Sequence, residues 1–269
     1  MTLAIAFIGF GEVGQLFTRQ LAARPGVAIA VYDVLFDDPE IGADLTRRAT
    51  DGGARAAESA AAACRGCSLV VSAVTADSAI AAGRQAGAAL TGSQTYIDLN
   101  SVSPTTKRLV AEEATRGGAG FVEFAVMAPV SGPGIAVPIL AGGGQAEEVA
   151  ATLNPLGMRI TPVSPEIGAA SATKLCRSIV VKGLEALMVD LNLAAEKAGV
   201  LPAVLASLTA SYPHMDWAQV ASVMPGRVKQ HGRRRAAEMR EVSRMMSEYG
   251  LDGSLAEAIA QRHESFAGQ

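Results

Sequence analysis

The chain has 269 residues, of which 49% are hydrophobic and 18% charged, with a formal net charge of −3. That length holds one large or two medium domains, and the apolar share supplies a core rather than a disordered chain. The absence of a basic excess speaks against general nucleic-acid binding and leaves a small molecule as the expected partner.

The first predicted element is the apolar run Leu3-Ala4-Ile5-Ala6-Phe7-Ile8. No basic residue precedes Arg19 and glycines interrupt the run, so it is read as a buried strand rather than an export signal. No stretch approaches the roughly eighteen uninterrupted apolar residues of a membrane span, and a cytoplasmic protein is the default expectation. Directly behind the strand stands Gly9-Phe10-Gly11-Glu12-Val13-Gly14, followed by helix formers up to Ala23. A second strand at Val27 to Tyr32 then leads to Asp33, nineteen residues after Gly14. In this setting Gly9 permits the tight turn, Gly11 lets the backbone approach a pyrophosphate, and Gly14 lets the helix pack against the strand. The helix opening at Glu12 and Val13 points free N–H groups at the phosphates, so all six residues from Gly9 to Gly14 are assigned to a dinucleotide. Asp33 can accept hydrogen bonds from the ribose hydroxyls of NAD and repels the extra phosphate of NADP; NAD is therefore expected over NADP.

Short β-branched runs then alternate with alanine-rich segments, the pattern of βαβ units around a parallel sheet. Strands are read near Arg55 and over residues 69–73, 95–99 and 121–126, with helices over 59–65, 77–89 and 105–116. Cys64-Arg65-Gly66-Cys67 is read as a turn before the fourth strand, since His214, His231 and His263 offer no metal-ligand spacing; no metal is expected. A strand at 137–141, a helix at 145–153 and a strand at 158–161 close a first domain, residues 1–163. Residues 164–269 read as helices only: a long one at 168–198, then 201–211, 216–222, 227–247 and 255–265. The expected fold is thus α/β, a Rossmann-type doubly wound parallel sheet followed by an all-helical C-terminal domain.

Two groups of polar residues stand out. Asn100 and Ser101 end the fifth strand, and Ser72, Val74 and Thr75 end the fourth, at the carboxyl edge where open α/β sheets bind ligands; turn chemistry is the alternative account of the same residues. On the long helix, Lys174, Arg177, Ser178, Lys182 and Glu185 share much of one face of an otherwise apolar element. Such a stripe marks either a cleft or a solvent-facing row with ordinary ion pairs such as Lys182 to Glu185.

Gly168-Ala169-Ala170-Ser171-Ala172-Thr173-Lys174 resembles the segment that carries the catalytic lysine of the β-hydroxyacid dehydrogenases, typified by 3-hydroxyisobutyrate and 6-phosphogluconate dehydrogenases. In the same order, Asp98-Leu99-Asn100-Ser101-Val102-Ser103-Pro104 resembles that family's D-x-S-T-x-x-P substrate loop, and Leu140-Ala141-Gly142-Gly143 its M-V-G-G stretch. The resemblance covers about residues 1 to 200. It implies hydride transfer between a nicotinamide dinucleotide and a small hydroxy acid or its carbonyl form, in a cleft between the domains. Lys174 would be the general acid/base, Asn100 and Ser101 would meet substrate or the nicotinamide ribose, and Ser72, Val74 and Thr75 would line the cofactor. It also implies a homodimer built through the helical domain, with which the apolar surplus of residues 179–210 agrees.

The chain departs from the family's pattern where substrate is expected. Ser178 stands where relatives commonly have asparagine, preceded by Arg177, which can make a bidentate contact with a carboxylate or phosphate. Spacing from Asp98 places Glu123-Phe124-Ala125-Val126-Met127-Ala128-Pro129 on the family's D-A-P-V-S-G-G loop, so Met127 and Ala128 would present an apolar surface to substrate. With Arg177, Ser178 and Lys182 they complete the residues expected to read a small anionic substrate. The basic run Arg227, Lys229, His231, Arg233, Arg234 and Arg235 resembles a poorly characterised branch with its own helical domain; it is read as a solvated helix face, with substrate contact as the alternative. Two rival functions remain: an imine reductase on a similar fold, against which Lys174 speaks, and a non-catalytic dinucleotide-binding protein.

Overall fold

The structure, a computed structural model, describes residues 2–268. Apolar positions repeat with period two along the first strand and send Ile5 and Phe7 to one side, Ala6 and Ile8 to the other. Both sides are buried, as a parallel sheet covered by helices on both faces requires. The strands are β1 (Leu3–Ile8), β2 (Val27–Tyr32), β3 (Ala54–Ala56), β4 (Leu69–Ser72), β5 (Thr95–Asp98), β6 (Gly120–Val126), β7 (Pro138–Gly142) and β8 (Arg159–Ser164). They form one eight-stranded sheet in the order β3-β2-β1-β4-β5-β6-β7-β8. Every pairing is parallel except β6 with β7. The first six strands follow the order 3-2-1-4-5-6, the expected doubly wound Rossmann arrangement.

The helices of this unit are α1 (Glu12–Ala22), α2 (Gly42–Asp51), α3 (Ala60–Cys64), α4 (Ala79–Gly87), α5 (Pro104–Ala114) and α6 (Ala146–Leu153). Phe17 and Leu21 of α1 and Val149 and Leu153 of α6 join Ile5, Phe7, Ile29 and Val31 in one core. Alanines of α3, α4 and α5 pack with Val70, Tyr96 and Val110 in the other. Helix α2 is absent from the sequence reading. Its segment Gly-Ala-Asp-Leu-Thr-Arg-Arg-Ala-Thr-Asp buries only Gly42 and Ala49 and holds one large apolar residue, Leu45, so it offers no apolar run by which to find it.

The first compact unit ends at Lys174 and the second begins at Leu175, inside α7 (Ala169–Ala198). The second unit continues with α8 (Leu201–Ser211), α9 (Trp217–Glu248) and α10 (Ser254–Phe266), so it is wholly helical, as expected. Residues 216–222 and 227–247 are not two helices but the single α9, which runs through Pro225 and Gly226. Proline has no N–H and leaves the carbonyl four residues earlier without its helical donor. That carbonyl belongs to Ala221, and Asn192 Nδ2 of α7 donates to it at 2.7 Å. The break is thus repaired from another helix.

Candidate functional site

The glycine loop between β1 and α1 shows three different reasons for glycine. Gly9 has φ +100°, and a Cβ there would lie 2.4 Å from the Ala73 carbonyl oxygen. At Gly14 a Cβ would lie 2.3 Å from the Gly9 carbonyl oxygen, so α1 packs directly on the loop. Gly11 has nothing within 4 Å of that position: its face is open, as a loop that must admit a pyrophosphate should be. Gly11 and Glu12 are exposed, Val13 is half-buried and Phe10 is buried. The half-buried carboxylate of Asp33 accepts from Phe10 N–H at 2.6 Å and from Leu35 N–H at 2.9 Å. Asp33 therefore joins the end of β2 to the glycine loop, with further lone pairs free to accept ribose hydroxyls.

At the ends of β4 and β5 the loops are locked together. Asn100 is buried; its Oδ1 accepts from Val74 N–H at 2.8 Å, while its Nδ2 donates to Ser72 Oγ at 3.0 Å and to Asp98 Oδ1. The amide is thus a clip between two loops, and Thr75 beyond Val74 is exposed with its hydroxyl bonded to Ser78 Oγ. Beneath the clip lies an ion pair foreseen by no motif. Lys107 Nζ lies 2.9 Å from Asp98 Oδ2 and also donates to the Asp98 carbonyl at 2.8 Å; both side chains are buried. Next to Asn100 stands Ser101, whose Oγ accepts from Lys174 Nζ at 2.8 Å. The structure thus brings Ser101 and Lys174 together, 73 residues apart in the chain.

Lys174 sits one turn inside α7, and the start of that helix is capped by Glu123. Fully buried on β6, its carboxylate accepts from the N–H groups of Gly168 at 2.7 Å, Ala170 at 2.9 Å and Ser171 at 3.4 Å. These are orphan donors of a helix N-terminus, where a negative charge is stabilised. The sequence signal was present in Gly-Phe-Val-Glu-Phe-Ala-Val: an acid inside a buried strand needs a partner. Met127 continues the β6 pairing, its N–H donating to Pro138 O at 2.9 Å, and Ala128 is exposed.

In the second unit Arg177 is exposed and Ser178 is buried. Lys182 Nζ lies 2.7 Å from Glu238 and 3.4 Å from Ser178 Oγ. Beside it Arg235 pairs with Glu185 at 2.8 Å, and His263 Nε2 is 3.0 Å from the Lys182 carbonyl. Burial pushes the Glu185 carboxyl above its ordinary range against the pull of Arg235 and Lys182. Burial also lowers His263, helped by Arg235 and Lys182 and opposed by its bond to the Lys182 carbonyl. Of the basic run on α9, Arg235 belongs to this buried cluster, whereas Arg227, Lys229, Arg233 and Arg234 are exposed.

Cys64 and Cys67 are both buried, and burial holds the Cys64 thiol up at about 12, unsuited to redox or zinc chemistry at neutral pH. Among the described residues no His, Cys, Asp and Glu group is arranged to hold a metal, and no helix is long and apolar enough to cross a membrane.

A glycine loop open to a pyrophosphate at a Rossmann sheet edge defines a dinucleotide-binding protein, and its ordered motifs are those of NAD(P)-linked oxidoreductases. Residues 4–163 match the NAD-binding domain of 6-phosphogluconate dehydrogenase, and residues 195–266 match a domain of unknown function (DUF1932). The chain belongs to the β-hydroxyacid dehydrogenase family, in a branch with a C-terminal helical domain. A conserved hypothetical protein from Sinorhizobium meliloti 1021 is 37% identical with a TM-score of 0.86, covering 98% of this chain and 88% of that one. A second solved structure, of a conserved protein of unknown function described as similar to 3-hydroxyacid dehydrogenases, is 32% identical with a TM-score of 0.80, covering 98% and 96%. The 3-hydroxyisobutyrate dehydrogenase of Pseudomonas aeruginosa is 27% identical over 221 residues, 80% of this chain and 71% of that protein.

Proposed function

We propose that the protein is an NAD-linked dehydrogenase that interconverts a small hydroxy acid and its carbonyl form, with Lys174 as general acid/base. The observation that carries this reading is the 2.8 Å hydrogen bond from Lys174 Nζ to Ser101 Oγ. It holds an amine at the carboxyl edge of the sheet, on the loop that follows β5, where ligands of open α/β sheets bind. The residues from Gly9 to Gly14 would hold the dinucleotide, whose nicotinamide supplies a hydride acceptor or donor. Asp33, already oriented by Phe10 N–H, supports NAD over NADP as the ligand. In oxidation Lys174 accepts the proton of the substrate hydroxyl, and in reduction it returns that proton to the carbonyl oxygen. Ser101 keeps the amine in place and offers its own hydroxyl to the substrate. Val74 and Thr75 would border the nicotinamide, and the Asn100 clip fixes their backbone. Met127, Ala128, Arg177, Ser178 and Lys182 stay as candidate substrate-reading residues; the pairing of Lys182 with Glu238 lowers its capacity to bind an anion.

The chain is also proposed to form a homodimer through its helical unit. Helix α8 contains Leu201, Val204, Leu205 and Leu208 yet buries none of its residues, and Val180 and Leu187 of α7 are exposed. Leu205 and Leu208 pack partly against Met188 and Trp217, so it is the exposed Val180, Leu187 and Leu193 of α7 that call for a partner surface.

The test is Lys174→Ala, assayed on short hydroxy acids, sugar acids, aldehydes and cyclic imines with NAD or NADH. Turnover falls by about 10²–10⁴-fold, the usual contribution of general acid–base catalysis, while NADH fluorescence binding is retained. An unchanged turnover number removes the mechanism, and turnover of imines alone moves the protein to the reductase class.

A further inference from the structure

A single row of registered positions crosses the sheet edge: Ser72 pairs with Asp98, Asp98 with Glu123, and Glu123 with Gly142. Two adjacent carboxylates in this row are fully buried, and each bonds the segment just before one partner of the Ser101–Lys174 hydrogen bond. Asp98, neutralised by Lys107, lies three residues before Ser101 and holds Asn100. Glu123 holds the first turn of α7, one turn before Lys174. We propose that Glu123 is a positioning residue for Lys174, a role that rests on the reading of Lys174 as the proton carrier.

Three observations carry it. Helix N-termini are commonly capped by a nearby Ser, Thr, Asp or Asn, but α7 takes its cap from a strand 45 residues earlier. Gly168, which precedes the helix, has no side chain to cap it, and the hydroxyl of Ser171 donates to the Gly168 carbonyl at 3.0 Å instead of accepting from an N–H. The place where α7 begins is therefore set by the register of the sheet rather than by the helix itself. Second, the neighbouring strand is cut away to admit this carboxylate: a Cβ on Gly142 would lie 2.6 Å from Glu123 Oε1. Third, Lys174 follows Ala170 by four residues and Ser171 by three, so it stands above the anchored N–H groups on the same helical face. A movement of that turn is carried to Nζ, and a displacement of about 1 Å is enough to cost rate by about 10²-fold.

The experiment uses the full chain with Glu123→Gln, which keeps the shape but replaces one acceptor oxygen by an NH₂ that faces N–H donors. Gly142→Ala is the second variant, pressing a methyl on the same carboxylate without removing its charge. Lys174 is titrated by NMR after reductive ¹³C-methylation, its resonance assigned with Lys174→Arg. In both variants the titration midpoint of the amine moves away from the wild-type value, because the turn that carries it shifts and its bond to Ser101 is loosened. The turnover number falls by about tenfold to a hundredfold while the NADH dissociation constant stays within about twofold. A folded, NADH-binding Glu123→Gln protein whose Lys174 titration and turnover match the wild type overturns the proposal. If that variant does not fold, Gly142→Ala decides by the same readouts. If neither folds, the carboxylate is a folding determinant and the positioning role falls. Should the wild type turn over none of the panel, the dehydrogenase reading fails, while the Lys174 titration alone still decides the role of Glu123.

Discussion

Gly11 and Gly14 belong to one motif, yet a side chain would meet open space at the first and backbone at the second, so the proposed dinucleotide site predicts different outcomes for the two. A methyl added at Gly14 would lie 2.3 Å from the Gly9 carbonyl oxygen, which is backbone and held by the Gly9 N–H bond to Tyr32 O at 2.8 Å. A tolerable C···O approach is about 3.3 Å, so α1 must retreat by about 1 Å from the loop. Overpacking of this kind costs about 1–3 kcal/mol. At about 2–4 °C per kcal/mol for a chain of this size, Gly14→Ala lowers the melting temperature by about 2–12 °C. A methyl on Gly11 meets nothing within 4 Å, and its backbone, φ −72° and ψ −164°, suits any residue. Gly11→Ala therefore leaves stability within about 0.5 kcal/mol of wild type, the range of a surface change. It does place a methyl on the face that must admit the pyrophosphate, and the NADH dissociation constant rises by about tenfold or more, or about 1.4 kcal/mol. Differential scanning fluorimetry without ligand and a fluorescence titration with NADH read the two effects separately. The reasoning is refuted if Gly11→Ala binds NADH like wild type, or if Gly14→Ala melts with it.

Two further outcomes are expected. Lys107→Met leaves the buried Asp98 carboxylate without its cation and destabilises by about 3–5 kcal/mol, the usual consequence of breaking a buried ion pair from one side. Adding Asp98→Asn recovers much of that loss in urea unfolding, and a double variant no better than the single one shows that the charge is not the cause. Light scattering at micromolar concentration gives a dimer mass for the wild type; Leu187→Asp, on the exposed apolar side of α7, shifts it toward the monomer, and a wild-type monomer mass removes the dimer.

The elements whose signal is local were legible in the sequence. The glycine loop, the alternating strands and the long α7 announce themselves through spacing and period within a window of a few residues. What escaped depended on partners far away in the chain. Pro225 reads as a helix break because nothing near it reveals that Asn192, 29 residues before Ala221, supplies the missing donor. That Asn100 also clips the loop after β4 is not visible locally, because its bond to Val74 crosses 26 residues. Glu123 caps a helix start that follows by 45 residues, and nothing in the local spacing announces it. Lys107 carries no local mark of burial, since its partner Asp98 stands on a strand of the sheet.

Asp33 answers to two masters. One oxygen of its carboxylate is bonded to the glycine loop through Phe10 N–H and the other to the turn that follows β2, before any ligand arrives. If position 33 sets the choice between NAD and NADP as proposed, redesign cannot treat it as a selectivity dial alone. Exchanging it for a small or cationic residue to welcome a 2′-phosphate also unfastens Phe10, so the altered loop has to find another tether before the new specificity can be expressed.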